Sequence, residues 1–513
     1  MNTADFSFCY NGQALGLDGL PLLSPASFRM AVLRAVAEGA RISALFGMPE
    51  EHPGVKAPGG AAGQGAIRLV AVLACDAEAQ LAVATTLAGT SYEALTPECP
   101  QACWFEREIN EQWNVLPEGH PWLKPIRFHR PYAANQPEHK PCIGVTDFFR
   151  VGGPEIHEVA VGPVHAGIIE PGHFRFQCHG EEVKHLEISL GYQHRGIEQA
   201  LAGGPDTRTM HYMETLAGDT TVGHSLAYCQ AMEALAGCRV SPRSLALRGI
   251  ALELERAANH AGDLGALAGD VGFLPTAAYC GRIRGDFLNM TALLCGSRFG
   301  RTMIRPGGVS FDCEEQRAAE LLSRLKKAAR DSAGAVNLLW ETPSVMARFE
   351  NTGAVARGTA EDLGLVGPAA RACGLVRDAR YNFPSGIFRF AQIPVATEAA
   401  GDVFARAYVR WLELQRSLEF IENQIQRMPS GDSAAELKAP AADSLAVSLV
   451  EGWRGEICHV AVTDSRGRFI RYKIVDPSFH NWFGLAIAMR NQQISDFPLC
   501  NKSFNLSYCG HDL

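Results

Sequence analysis

Two short segments crowd reactive side chains around backbone turns. The first runs Gly162-Pro163-Val164-His165-Ala166-Gly167, with Glu170, His173 and Cys178 close behind. The second is Leu190-Gly191-Tyr192-Gln193-His194-Arg195-Gly196-Ile197-Glu198. Glycine and proline fix the turns. Imidazole and carboxylate groups gathered there can hold or move protons, and a guanidinium can pair with the carboxylates. The same residues also suit a strand-edge turn and a helix start laced by ion pairs, with Glu198 paired to Arg195. Fifteen cysteines raise metal and disulfide chemistry, yet none forms a Cys-x-x-Cys; among the nearest pairs are Cys99 with Cys103 and Cys500 with Cys509. Zinc and iron–sulfur sites usually draw two ligands from one short turn. The expectation is free, buried, reduced thiols and no metal held by this chain.

The elements that position these groups follow from length and pattern. At 513 residues the chain exceeds the roughly 250–300 at which one core stops growing, so at least two domains are expected. A composition of 47% apolar and 20% charged residues excludes wholesale disorder. Basic residues number 47 against 55 acidic, and the net charge of −8 gives no case for a nucleic-acid partner. No apolar run reaches the roughly 18–20 residues that span a bilayer, and the N-terminus lacks a secretory pattern. The expected location is cytoplasmic.

Apolar spacing predicts a helix over 27–45, a buried strand over 66–75 and a helix over 78–97. A Gly/Pro/Ala loop over 52–65 separates the first two. Its glycines precede a strand, the wrong order for a phosphate-binding turn. The Pro- and His-rich stretch 117–141 reads as a connector. Beyond it, 155–162 and 174–190 read as a small antiparallel sheet, and 205–237 as a helical block. Residues 244–268 read as an amphipathic helix, with Leu245, Leu252 and Leu264 opposite Arg248, Glu255 and Asp263. Further helices are expected near 276–297, 313–342 and 399–427, and hairpin strands over 445–475.

The order of five motifs resembles one superfamily. Gly162-Pro163-x-His165 and Gly191-Tyr192-x-His194-Arg195-Gly196-Ile197-Glu198 are followed by Glu253–His260 (ELERAANH), Ile304-Arg305-Pro306-Gly307-Gly308-Val309 and Asp476-Pro477-Ser478-Phe479-His480-Asn481. Together they resemble the 49 kDa subunit of respiratory complex I and the large subunits of membrane-bound [NiFe] hydrogenases. Trp104-Phe105-Glu106-Arg107-Glu108-Ile109 and Glu118-Gly119-His120-Pro121 resemble the complex I 30 kDa subunit. One chain carrying both is similar to the formate hydrogenlyase and hydrogenase-4 large subunits. The resemblance implies an α+β protein. A small α/β domain over 1–140 and a linker over 141–154 would precede a hydrogenase-large-subunit-like domain over 155–513, with a central helical bundle and a peripheral antiparallel sheet.

The departures from the family pattern bear on function. The resemblance places two Cys-x-x-Cys pairs around nickel and iron; here Ala217 and Thr220, then Ser507 and Gly510, stand at those places, with Cys509 one residue off. Alanine and glycine have no ligand atom, and neutral hydroxyls bind nickel poorly. A tyrosine that faces quinone in complex I corresponds to Ala217. His165 and His173 remain as loop histidines, and Arg301 stands where a cluster-facing histidine is found. Arg256, His260, Arg305, His511 and Asp512 are further retained polar groups. The chain thus resembles the energy-converting hydrogenase-related type, which lacks the nickel ligands. The resemblance implies quinone- and NAD-linked electron transfer, an iron–sulfur cluster in a complex I small-subunit-like partner, and antiporter-like membrane subunits. It also implies a peripheral place on the cytoplasmic face of the inner membrane. Glu198, Asp219 and His224 are the candidate proton path, with the Glu198 carboxyl raised by a dry surrounding. His165, His173, Ala217 and Arg301 are the candidates facing a quinone or the cluster. Residues 217–224 and 507–510 are expected to meet around an empty polar pocket, and a large apolar partner-binding face is expected over 190–310.

Overall fold

The computed structural model describes residues 4–50, 66–132, 142–166 and 169–513. The glycine-rich loop expected over 52–65 lies outside them, as does part of the 117–141 connector. An antiparallel sheet near the N-terminus runs Ser7–Cys9, Gln80–Ala88, Ile67–Cys75, Arg41–Pro49. Leu22–Leu23 adds in parallel to the Gln80–Ala88 strand. The Pro25–Ala37 helix packs on it, started by Ser24, whose hydroxyl accepts from the Ser27 N–H, and by Pro25 in the first turn.

Two expectations in this region are corrected. The helix ends at Ala37 rather than Leu45, because Gly39 turns the chain at φ +101°. Arg41–Pro49 is then a strand, in register Leu45↔Ala71. The segment over 78–97 is not helical. A turn with Ala79 at φ +54° leads into the strand Gln80–Ala88, then Ser91–Glu93. Its Val83, Thr85 and Thr86 favour the extended chain, and both threonine hydroxyls donate to carbonyls of the neighbouring segment, Pro21 and Leu23. Burial on both faces hid the two-residue period.

A second sheet runs Phe469–Val475, Gly455–Thr463, Ser444–Gly452, Gln13–Gly16, all antiparallel. Its edge strand therefore comes from the start of the chain, with Leu15 opposite Leu445. The third sheet, Glu182–Ser189, His173–His179, Ile156–Val161, is the peripheral antiparallel sheet expected from the sequence.

The helical block expected over 205–237 is broken into Thr209–Met213 and Thr221–Ala236, and the break at 214–220 carries Ala217, Asp219 and Thr220. Pro242–Asp270 runs through the centre, flanked by Leu274–Cys295 and Val403–Gln426. It is not amphipathic. Arg248 pairs with Glu233, Asp263 pairs with Arg410, and the Glu255 carboxylate accepts from Val222 and Gly223 N–H groups, so the expected outer face is buried. Charge at helical spacing marked inward ion pairs rather than solvent. Glu315–Trp340 completes the bundle.

The two-residue connection between Gly452 and Gly455 lifts Trp453 and Arg454 above the second sheet. Gly367, at φ +67°, packs backbone to backbone against it. A Cβ there would lie 2.2 Å from the Arg454 carbonyl oxygen and 2.4 Å from the Gly455 Cα. Gly367→Ala is expected to lower stability by more than about 1 kcal/mol in thermal melts. Gly358→Ala, on an exposed helix with open space around it, is expected to leave the melt unchanged.

Candidate functional site

The segments 215–220 and 507–513 come from distant parts of the chain, and Arg195 joins them. Its guanidinium donates to the carbonyls of Thr215 (2.6 Å), Leu216 (2.9 Å) and Cys509 (3.1 Å). The neighbouring turn is held to the same segment. The Asp512 carboxylate accepts from Gly191 N–H (2.8 Å) and Gln193 N–H (2.9 Å), and His194 Nδ1 lies 2.8 Å from the Asp512 carbonyl. The expected Arg195–Glu198 pair is therefore absent; Arg195 is spent on backbone.

Glu198 points inward instead. It accepts from Arg471 (2.7 Å), Lys473 (3.0 Å) and the Ile474 N–H (3.0 Å). Lys473 also donates to Glu108 at 2.7 Å, and Arg127 pairs with Glu108 while donating to the His511 carbonyl. Burial alone would raise the Glu198 carboxyl. Arg471, Lys473 and Arg127 outweigh it and hold the group below the usual range, opposite to the raised value expected from sequence.

The central helix positions the facing wall. Arg256 donates to the carbonyls of Glu451 (2.5 Å) and Gly452 (3.0 Å), fixing the hairpin. Asn259 donates to the Asp219 carbonyl at 2.9 Å. His260 is buried against Glu413 at 2.9 Å. The ELERAANH segment thus holds the hairpin tip and the 219 turn opposite one another. Between them lies the contact that sequence reasoning missed. Arg454 forks onto Asp219 at 2.6 and 2.7 Å, donates from Nε to the Asn505 carbonyl at 2.6 Å and reaches Thr220 Oγ1 at 3.1 Å. Trp453 Nε1 donates to the Asp219 carbonyl at 3.0 Å. Burial would raise Asp219, but the guanidinium holds it below its ordinary value. The only signal was an arginine at the tip between Gly452 and Gly455.

The expected meeting of 217–224 and 507–510 is observed: Arg195 ties Leu216 to Cys509, and Arg454 ties Asp219 and Thr220 to Asn505. The space between them is spanned by the Arg454–Asp219 pair. Ala217, Thr220, Ser507 and Gly510 are all buried there. A Cβ on Gly510 would stand 2.7 Å from the Asp476 carboxyl, so that position admits no side chain without displacing Asp476. Cys509 lies 3.4 Å from Ser507 Oγ, and its thiol is pushed up to about 11 by burial and by Glu170. These residues do not fit a nickel–iron centre: they offer one protonated thiol and no paired thiolates.

Asp476 begins a buried hydrogen-bonded chain. Its Oδ2 lies 3.0 Å from His224 Nε2; His224 Nδ1 lies 3.1 Å from His459 Nε2; His459 Nδ1 lies 2.9 Å from the Tyr472 hydroxyl. Burial raises the Asp476 carboxyl, but its bond to His224 and the neighbouring charges hold it ionised and low. Burial and His224 press His459 well below the ordinary imidazole value. His459 thus links the Tyr472 hydroxyl to His224, and His224 links His459 to the Asp476 carboxylate. His224 is therefore a fully partnered buried histidine. Glu255 stands on the other side of Asp219, where burial pushes it up to about 8 against the pull of the Val222 and Gly223 N–H groups. Asp219, Glu255 and Asn259 line a cavity of about 10 Å³, the size of one water.

The remaining candidates lie further out. His165 Nε2 contacts the Gly172 carbonyl at 2.9 Å, and His173 Nδ1 the Gly162 carbonyl at 3.4 Å. The loop reaches the 507–510 segment through Glu170, which accepts from the Tyr508 N–H at 3.3 Å. Arg301 is exposed beyond the Leu274–Cys295 helix, as is Arg305. The large apolar face expected over 190–310 is corrected: its exposed large hydrophobic residues are Leu274 and Tyr279, beside exposed Arg282, Arg298, Arg301 and Arg305.

Comparison with known proteins agrees with this architecture. Residues 30–141 match the respiratory-chain NADH dehydrogenase 30 Kd subunit family, and residues 270–444 match the 49 Kd subunit family. The chain is 30% identical over 350 residues to a carbon monoxide-induced hydrogenase of Rhodospirillum rubrum, covering 68% of this chain and 97% of that protein. It is 29% identical to hydrogenase-4 component G of Escherichia coli, over 81% of this chain and 75% of that protein. It is 28% identical to the NADH-quinone oxidoreductase subunit 4 of Thermus thermophilus, over 67% of this chain and 90% of that protein.

Two outcomes follow from the buried charges. Lys473→Met leaves Glu108 and Glu198 facing each other across a dry gap and is expected to cost about 3–5 kcal/mol in denaturant unfolding. The Glu255 carboxyl binds its proton more tightly in the folded chain, at about 8, than at the ordinary 4.5 of an unfolded chain. Its contribution to stability is complete below the lower value and lost as pH rises through the higher one. Glu255→Gln gives up one of two N–H acceptances and starts from a lower Tm. Its Tm should fall less steeply than the wild type's across that window.

Proposed function

Because the chain belongs to the family that unites the 30 and 49 kDa subunits of respiratory-chain NADH dehydrogenase with the large subunits of related hydrogenases, we propose that it is the large subunit of a membrane-bound oxidoreductase of this kind that works without a nickel–iron centre. In this reading a partner iron–sulfur subunit supplies electrons, and this chain forms one wall of the electron-accepting cavity. It couples electron transfer to ion movement in antiporter-like membrane subunits, and its attachment to the membrane runs through those partners. Among the described residues no helix is long and apolar enough to cross a membrane.

The observation that carries the proposal is the Arg454–Asp219 fork across the place where the family's thiolates would stand, with Gly510 packed against Asp476. An ion pair cannot take up electrons; it can exchange protons and change partners. Glu198 and Asp219 are held ionised by arginine and lysine, so neither titrates near neutral pH. The groups suited to proton transfer are His224, with its hydrogen-bonded neighbours, and Glu255 near pH 8. Ala217 leaves no hydroxyl for a quinone, so His165 and His173 are the loop groups left for one.

Metal analysis of the purified complex tests the reading. Iron in the partner's clusters and nickel well below one atom per complex are expected. Stoichiometric nickel, or hydrogen evolution by the complex, overturns it. A complex whose clusters never turn over with any donor also overturns it and leaves a structural subunit.

A further inference from the structure

A cavity of about 440 Å³ opens where the Cys103–Trp113 helix meets the Glu182–Ser189 strand and the Pro477–Ala488 helix. It is separate from the 217–224 and 507–510 meeting point, and the reading above does not depend on it. We propose that this cavity binds a planar aromatic molecule carrying an anionic group.

Aromatic side chains supply the walls: Trp104, Trp122, Phe149, Trp482 and Phe483 all line it. Flat rings favour a flat apolar guest by offset stacking and area burial. The charge is one-sided. Arg107 is buried over the Trp104 ring at 4.6 Å, and it donates to the carbonyls of Lys124 (2.8 Å) and Pro125 (3.0 Å) rather than to a carboxylate. Arg490 stands exposed at the margin. The one carboxylate in the lining, Glu187, is already committed to Lys124, to the Phe149 N–H (2.7 Å) and to Trp122 Nε1 (3.4 Å). Burial keeps His185 below the ordinary imidazole value, so it adds no charge at neutral pH. Glu111 and Glu187 lie near Arg107, but no carboxylate is within hydrogen-bond distance of it, and a guanidinium so placed beside an aromatic box calls for acceptor oxygens on an aromatic frame. The guest would touch the region matching the 30 Kd subunit, through Trp104 and Arg107, and the C-terminal part of the chain, through Trp482 and Phe483.

The test titrates the purified complex with 8-anilinonaphthalene-1-sulfonate, an aromatic sulfonate, reading its emission and the quenching of tryptophan emission. One saturable site per chain is expected. Arg490→Gln should weaken it roughly threefold to tenfold, since a charge-assisted contact at an exposed margin is lost. Ala486→Leu, which fills the cavity without touching a charge, should abolish the site. Arg466→Gln, on an exposed turn outside the lining, should change nothing. The uncharged N-phenyl-1-naphthylamine should bind more weakly than the sulfonate. Equal binding of the neutral probe, or indifference to both Arg490→Gln and Ala486→Leu, overturns the proposal. Binding by the free chain that vanishes in the complex also overturns it, since a partner's polypeptide then fills the cavity.

Discussion

Everything at the meeting point of the segments depends on one buried cluster of charges. Glu108 and Glu198 share Lys473, with Arg127 and Arg471 on either side, and each of the five is almost wholly removed from solvent. Dehydrating an ion costs several kcal/mol, so such a cluster persists only when every charge is matched and hydrogen-bonded. Matching here requires four separate pieces of chain to stay together: the Cys103–Trp113 helix, the connector at Arg127, the short helix at Glu198 and the Phe469–Val475 strand. Arg127 adds a fifth by donating to the His511 carbonyl. The cluster thus fixes the register between the N-terminal region and the C-terminal segment. Arg195 and Arg454 work within that frame.

The sequence was most informative where one physical signal dominated. Helices over 274–295, 315–340 and 403–426 have long apolar stripes and clear stops, and they lie where expected. The hairpin strands over 444–475 are buried on both faces, and the glycines at 452 and 467 mark their turns. Reading failed where burial on all sides erased the period. The Gln80–Ala88 strand is apolar on both faces, and the Pro242–Asp270 helix buries its charges as well as its leucines. Opposite charges spaced along a helix look alike whether they face water or each other. Only the partners decide, and Glu233 and Arg410 come from other helices.

The site was legible as a set of motifs but not as a set of roles. Glu198, Asp219 and His224 do gather near the expected centre, yet each is satisfied by a partner that no motif announced. Those partners were nonetheless marked. Arg471 and Lys473 alternate within the apolar strand Phe469–Val475, which places both on the inward side and requires acids there. Arg454 sits at a two-residue hairpin tip between glycines, where a side chain is presented rather than packed. The Gly191–Glu198 motif divides its labour: its N–H groups and His194 hold Asp512, Arg195 holds carbonyls, and Glu198 holds the charge cluster.

In the proposed reading, the link between the segments at the centre is of a different kind from metal coordination. Coordination by paired thiolates needs side chains at 217, 220, 507 and 510. Here Ala217 and Gly510 offer no ligand atom, and Asp476 fills the space beside Gly510. Asp476 is itself immobilised: it caps the Pro477–Ala488 helix through the Ser478 N–H and binds His224. Reversion at one position therefore collides with a residue fixed from two other directions. In place of coordination, the segments are bridged by Arg454 and Asp219. This pair is asymmetric in a useful way. The Arg454 side chain is 5% exposed and that of Asp219 is 32% exposed. Water reaches the carboxylate but not the guanidinium or the imidazoles behind it. The boundary between wet and dry runs between Asp219 and Asp476. Protonating or drawing away Asp219 would leave Asp476 and Asp263 as the acids acting on Arg454, and Asp476 is bonded to His224. In the proposed reading, a change at the solvent side would thereby pass to a hydrogen-bonded chain that is buried throughout.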